Sequence, residues 1–478
     1  MHDLMNDLAT FVAGEYFLRF DNQTEMAEEA LAKYRHMSFM HENYVGFQKF
    51  EAFQRARRSL RTLLAVHVGA ETRWSEFYLS NKILVDLLPQ LPLLRVLSLR
   101  RFKISEVPDS ICSLKHLRDL NLAETRISKL PENVGNLYNL LTLIVFGCKK
   151  LTKLPKSFLK LKKLRHFDIR NTPLLEKLPI QGLDIHGEIS IEGLNKVQSS
   201  MHAREANLSL KRINKLVLKW DDGSRRETLD KEVLNELKPN SDQLIMLVVK
   251  SYKGIEFPNW VGDPSFNQLV HVSLHGCRKC KSLPPLGKLP SLKELSIQGM
   301  DEVKVIDSEL TRTNDAPFSS LEILRFEDMS SWEVWPTNSK VMFPCLQELQ
   351  IKKCPNSSDV SLEALPSLRV LKIDGCCESG LRSLVRAAWA VEELSIFSCN
   401  EIRYLWESEA KASKVLVNLK KLQVYYCKNL VSLGEKEEDE DNIGINILSS
   451  LRKLEIQSCD SNNNRWRRAE SQVTYYIG

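Results

Sequence analysis

The most reactive side chains in this 478-residue chain are its eleven cysteines. Cys277 and Cys280 make one C-x-x-C, half of a tetrahedral zinc site, yet no second pair lies nearby at zinc spacing. Cys376 and Cys377 are adjacent, and adjacent side chains of a strand point to opposite faces. Histidines and carboxylates form no catalytic pattern: H-E-x-x-H, G-x-S-x-G and the kinase signatures are missing. The nearest approach to a phosphate loop, Gly287-Lys288, sits in a proline-rich turn. The sequence therefore predicts no catalytic residue, no bound metal and no enzyme.

Docking is the other chemistry on offer. The run "CKKLTKLPKSFLKLKKLRHFDIR" is basic and reads either as solvated lysines or as a docking surface for an acidic domain. Few aromatics interleave it, which argues against nucleic acid as a partner. The net charge of +6 is small for this length and supports no polyanion partner. No stretch approaches the ~18 apolar residues of a membrane span. The start is acidic and polar at Asp3, Asn6 and Asp7, unlike a secretory leader. Without one, the sequons at Asn22, Asn207 and Asn356 read as chance and the cysteines as reduced thiols, predicting the cytoplasm, with the nucleus also open.

What must position these side chains is an internal repeat. The template L-x-x-L-x-L-x-x-(N/C/T) fits "LLTLIVFGC", "LVHVSLHGC", "LQELQIKKC", "LRVLKIDGC", "VEELSIFSC", "LKKLQVYYC" and "LRKLEIQSC". Their terminal cysteines are Cys148, Cys277, Cys354, Cys376, Cys399, Cys427 and Cys459, so seven of the eleven share one phase. That phase suits small, buried, weakly hydrogen-bonding groups on successive coils. With looser copies the array has fifteen members from Leu94 to Leu451, about 25 residues apart, and a weaker sixteenth at Leu60. The pattern predicts an α/β solenoid, a leucine-rich-repeat horseshoe of about 15–16 repeats. Each L-x-L is a short strand whose aliphatic residues face a shared core, and the ninth residue turns the chain away. Prolines in "VPDSICSLKHL", "LPENVGNLYNL" and "LPPLGKLPSL" stop the ladder and start the return. Insertions fall in loops: "DDGSRRETLDKEVLNELKPNSDQ" predicts a short helix and "GEKEEDEDNIGIN" an acidic exposed loop.

Between the aliphatic positions lie residues that face the concave surface. They include Arg100, His166, Arg170, Lys219, His271, His275, Arg325, Glu327, Lys372, Phe397 and Tyr425. They change in charge, size and bonding type from coil to coil, as a protein-binding face does, and arginines and aromatics are favoured anchors there.

The chain opens "MHDLMNDLATFVAG", with Leu4, Leu8, Phe11 and Val12 on one helix face and Gly14 as a stop. His2-Asp3 at the head of such a helix, then "YRHMSFMHE", then the array, resembles the junction of plant nucleotide-binding leucine-rich-repeat immune receptors of the coiled-coil class. "LRVLSLRRFKISEVPDSICSLKHLRDLNLAETRISKLPENVGNLYNLLTLIVFGCKKLTKLP" is similar to their first repeats. "IHGEISIEGLNKVQSSMHAREANLSLKRINKLVLKW" is similar to a characteristic mid-array segment of the group. The resemblance covers nearly the whole chain except the tail.

The resemblance implies an ADP/ATP switch in which the repeats restrain the nucleotide module until a pathogen molecule is recognised. His2 of the motif would approach the ADP phosphates and Asp3 would support the local hydrogen bonding, in an intact receptor only. The phosphate loop and coiled coil of the family are missing here, so no cofactor is expected for this chain and it is expected not to bind nucleotide alone. The start at the motif's own methionine reads as a truncated gene model or a degenerate copy. The implied organisation is 1–59 as the C-terminal remnant of the winged-helix subdomain, 60–459 as the leucine-rich repeats, and 460–478 as an irregular or disordered tail. The expected role is the recognition and autoinhibitory arm of an intracellular plant immune receptor. Its expected partners are a pathogen effector or guarded host protein and the receptor's nucleotide-binding module. Two other readings stay open: a ubiquitin-ligase substrate receptor, since some carry cysteine-marked repeats of similar length, and an inactive receptor remnant.

Overall fold

A computed structural model of the chain describes residues 16–20, 34–40, 59–66, 81–169, 171–172, 186–221, 227–306, 317–335, 342–360, 365–406, 416–434, 450–457, 459 and 474–476. They fall in two compact units, Met1–Gly223 and Ser224–Gly478.

One coil shows why the repeat folds. In "LVHVSLHGC" the strand is His271–His275. Leu269, Val272 and Leu274 are buried, whereas His271 and Ser273 are half-buried and His275 exposed on the opposite face. The period of two in a strand enforces that division. Cys277 then turns inward and is fully buried, its thiol directed at the carbonyls of Val249, 3.9 Å away, and His275. Each aliphatic side chain removes one to two methyl-bearing surfaces from water, about 1.5–3 kcal/mol per residue, but only if a neighbouring coil covers it.

Among the described residues of the first unit nine strands run parallel: Phe17–Phe20, His36–Met40, Thr62–Val66, Val96–Ser98, Asp119–Asn121, Thr142–Ile144, His166–Asp168, His186–Glu192 and Arg212–Lys219. Each pairs with the next in sequence. Among the described residues of the second unit ten strands, from Met246–Lys250 to Thr474–Tyr476, pair in parallel coil to coil. The return segments are short: 3₁₀ turns such as Asp109–Ser113 after Pro108 and Lys156–Lys160 after Pro155. Pro fixes φ near its entry value and removes a ladder donor, so the chain leaves the sheet there. The insertion expected to carry a helix holds Glu227–Glu236.

The turn off the sheet is made one residue earlier than the template suggests. Position eight, not nine, takes left-handed backbone: φ is 59° at Glu124, 57° at Asp328, 53° at Lys353, 51° at Ser398 and 57° at Tyr426, with Gly147, Gly276, Gly299 and Gly375 at the same place. Its N–H continues the ladder by donating to the next coil. Lys353 N bonds Asp374 O at 2.6 Å, Gly375 N bonds Phe397 O at 2.9 Å and Ser398 N bonds Tyr425 O at 2.9 Å. The left-handed turn is what drops the ninth side chain into the core.

Two expectations about the ends change. The sheet does not begin at residue 60: Phe17–Phe20 and His36–Met40 already pair in parallel with it. Met37 is fully buried and His36 Nδ1 lies 2.9 Å from Thr62 Oγ1. Five alternating residues in "HMSFM" are too few to register against a nine-residue template. Nor is 460–478 wholly irregular, because Thr474–Tyr476 pairs with Lys453–Glu455 as the last strand. A β-branched residue and two tyrosines suit a strand that covers an edge. The opening helix and the acidic loop lie outside the described residues.

Candidate protein-binding face

The side chains between the buried positions line the open face of each sheet, and cross-strand pairs organise it. In the first unit Arg100 and Arg101 converge on Glu124, Nε to Oε2 at 3.0 and 2.7 Å. Burial pushes the Glu124 carboxyl up, but the two guanidinium bonds outweigh it and hold it below the usual range. Glu192 sits between Lys219, at 3.1 Å, and His166, at 3.9 Å. Arg170, His2 and Asp3 lie outside the described residues.

In the second unit the pairs follow one another along the sheet. His271 Nδ1 is 3.0 Å from Glu294 Oε2, and the other Glu294 oxygen takes Arg325. Lys352 reaches Glu327 at 3.0 Å and Lys372 reaches Glu348 at 3.1 Å. The Glu327 carboxylate raises the Lys352 ammonium pKa. His275 is exposed and stands in register with Gln298, which in turn stands opposite Glu327. Further on, Phe397 and Tyr425 stack in register, ring centroids 5.1 Å apart and 12° from parallel. The Tyr425 hydroxyl donates to Glu455 Oε2 at 2.7 Å. Lys453, Tyr425 and Gln423 together hold the Glu455 carboxyl at about 2, far below its ordinary 4.5. Exposed ion pairs of this kind contribute roughly 0–1 kcal/mol each, so their main effect is to fix rotamers and cancel charge, not to hold the fold.

Sequence patterning finds the cations and aromatics of this face but misses the carboxylates Glu124, Glu192, Glu294 and Glu348 that hold them. The signal is present in the letters: in adjacent coils these acids stand opposite their cations or within two residues of that position.

Eight of the eleven cysteines are buried, and several of these donate to main-chain carbonyls. Cys280 Sγ gives its hydrogen to Gly254 O at 3.1 Å and Cys399 Sγ to Phe397 O at 3.3 Å. Burial pushes the Cys277 and Cys354 thiols up to about 12, so neither offers a thiolate near neutrality. Among the described residues no three His, Cys, Asp or Glu side chains gather as a metal-ligand set, and no helix is long and apolar enough to cross a membrane.

A second surface belongs to the first unit. Residues 140–163 carry seven lysines and no acid, and all seven side chains are exposed. Lys129 and Lys153 bridge in parallel on successive coils, which sets Lys129 of one coil beside this cluster. Among these lysines Lys163 bonds Asn139 Oδ1 at 2.8 Å.

Comparison with known proteins places both surfaces in a context. Residues 179–300 match the family described as R13L1/DRL21 LRRs, and residues 291–460 match "Plant disease resistance protein RPS2-like, leucine-rich repeats". The putative disease resistance RPP13-like protein 1 of Arabidopsis thaliana is 32% identical over 518 residues, covering 96% of this chain and 47% of that protein. The putative disease resistance protein RGA1 of Solanum bulbocastanum is 32% identical over 258 residues, covering 53% of this chain and 25% of that protein. The chain thus spans less than half the length of these relatives. Among solved structures, a leucine-rich-repeat protein of Leptospira interrogans aligns over 87% of this chain and 98% of its own at 18% identity and TM-score 0.46. The functional domain of InlJ from Listeria monocytogenes, described as including a cysteine ladder, aligns over 84% of this chain and 75% of its own at 15% identity and TM-score 0.45.

Proposed function

The repeats of this chain are leucine-rich repeats of the plant disease-resistance type, and from that premise we propose that it is the recognition and autoinhibitory arm of an intracellular plant immune receptor. Its open sheet face binds a pathogen effector or a guarded host protein. The observation that carries this reading is the face itself: strands in parallel register present His271, Arg325, Lys372, Phe397 and Tyr425, an imidazole, cations and aromatics, on one surface. A structural face would repeat one residue type; a recognition face varies while its backbone does not.

The lysine coil at 140–163 supports the restraint half of the role. A cluster of cations with no acid of its own attracts an acidic domain and makes the contact salt-dependent. On this reading the partner is the nucleotide-binding module of an intact receptor, and ADP or ATP would be held by that module, with His2 and Asp3 at its border.

The test is co-precipitation from pathogen-challenged leaf tissue expressing the full chain. Arg325→Ala, Tyr425→Ala and His271→Ala should each reduce capture of the partner at least several-fold without lowering the melting temperature, as truncation of interface anchors does. Undiminished capture by all three variants would move the recognition site off this face.

A further inference from the structure

Charge accounting along the second sheet singles out one residue. Over the eight strands from His271–His275 to Lys453–Gln457, six carboxylates occupy outward positions: Glu294, Glu327, Glu348, Asp374, Glu393 and Glu455. Five of them hold a lysine or arginine of their own or a neighbouring strand. Asp374 is the sixth. Among the described residues its carboxylate has no ion pair or hydrogen bond, whereas its main-chain oxygen accepts from Lys353 N at 2.6 Å. Of the two lysines nearest in register, Lys352 bonds Glu327 and only feels the Asp374 charge without pairing to it, and Lys372 bonds Glu348.

Asp374 is also the direct register partner of Phe397, whose ring stacks on Tyr425 one strand further along. Because the two rings are nearly parallel and lie on successive strands, the face of Phe397 that Tyr425 does not cover is turned toward the strand of Asp374. The stack is held in place beforehand: the Tyr425 hydroxyl donates to Glu455 at 2.7 Å and accepts from Gln423 Nε2 at 3.2 Å. A carboxylate with no ion pair of its own, in register with a half-buried aromatic ring, is complementary to a cation that is also flat. A guanidinium meets both demands, pairing with the carboxylate through its N–H fork while its plane lies on the ring. An ammonium meets only the first as a point charge.

We infer that Asp374, Phe397 and Tyr425 form an anchoring subsite for an arginine side chain of the protein bound on this face. The inference rests on the recognition reading above and adds the chemistry of the partner: an exposed arginine near the centre of its contact surface. It also orders the roles. Asp374 supplies the charge, Phe397 the stacking surface, and Tyr425 holds Phe397 in position.

The probe is a fluorescein-labelled glycine–serine peptide carrying one arginine, with a twin in which citrulline replaces it, the same shape without the charge. Anisotropy titrations against the full chain near physiological salt should show the arginine peptide binding at least about fivefold tighter than its twin. Asp374→Asn, nearly isosteric, should erase the discrimination. Phe397→Leu should weaken it by about threefold. Ser367→Ala, which removes only a hydroxyl bond to the Pro344 carbonyl between coils, should leave it intact. Equal binding of the two peptides by the unaltered chain, or discrimination that survives Asp374→Asn, overturns the inference. This outcome is separable from failure of the broader reading. If Arg325→Ala and His271→Ala abolish partner capture while Asp374→Asn leaves the peptides untouched, the face binds a protein but not through an arginine here.

Discussion

At the scale of single residues, the eighth position of the repeat is where conformation costs most. Lys353, Ser398 and Tyr426 all carry a Cβ in left-handed backbone, a conformation that costs an L-residue roughly 1–2 kcal/mol. Gly375 occupies the equivalent site with φ 65°, and an added Cβ there would meet no atom closer than 3.7 Å. Gly375→Ala should therefore lose about 1 kcal/mol through backbone strain alone, and Lys353→Gly should gain a few tenths to about 1 kcal/mol, both read from urea midpoints. Glu455 makes a prediction about acid. Its folded-state pKa near 2 lies below the ordinary 4.5, because Lys453, Tyr425 and Gln423 bond the ionised form. A depressed carboxyl contributes stability that is complete above about 4.5 and is lost as pH falls toward 2. The unaltered chain should thus lose more stability across that window than Glu455→Gln; parallel acid-unfolding curves would refute the assignment.

At the scale of elements, the coils are tied by a feature that the nine-residue template does not contain. The residue just before the first leucine is repeatedly Ser or Asn, and its side chain donates to a main-chain carbonyl of the preceding coil. Ser59 reaches Tyr34 O at 2.8 Å and Asn139 reaches Lys115 O at 2.9 Å. Ser291 reaches Asn267 O at 2.7 Å, Ser320 Pro290 O at 2.7 Å, Ser367 Pro344 O at 2.6 Å and Ser450 Val417 O at 2.6 Å. Each such bond contributes about 0.5–1.5 kcal/mol net, so Ser367→Ala should lower stability by about 1 kcal/mol with binding at the open face unchanged. The helix Glu378–Ala387 is placed by Gly380, where an added Cβ would meet Ser357 O at 2.0 Å. Gly380→Ala should cost about 2 kcal/mol despite the better helix propensity of alanine, because the backbone must move apart. These ties are visible in the letters, as "SL" or "NL" ahead of the strand, but a hydroxyl that can bond anywhere announces no partner until the coils are stacked.

At the scale of the whole chain, legibility divides along physical lines. Burial is periodic, so the core leucines, the cysteine phase and the strand order can be read directly: Leu269, Val272, Leu274 and Cys277 lie where alternation puts them. Charge compensation is not periodic. Which lysine finds which glutamate depends on register between coils whose spacing the insertions vary; the outward cations and aromatics are therefore legible and their partners are not. The ends are least legible, because Phe17–Phe20, His36–Met40 and Thr474–Tyr476 carry too little pattern. The last of these covers the edge of Lys453–Gln457. Ending the chain at residue 470 should bare that edge and make the protein associate at lower concentration, as seen by light scattering.

The serine rungs grip main chain, never a particular side chain. A coil that carries such a serine or asparagine therefore needs only a main-chain carbonyl from the coil before it, whatever that coil's sequence, so a hooked coil copied or transplanted by recombination finds an eye waiting. Where the hook is present, outward residues can change wholesale without any joint being renegotiated.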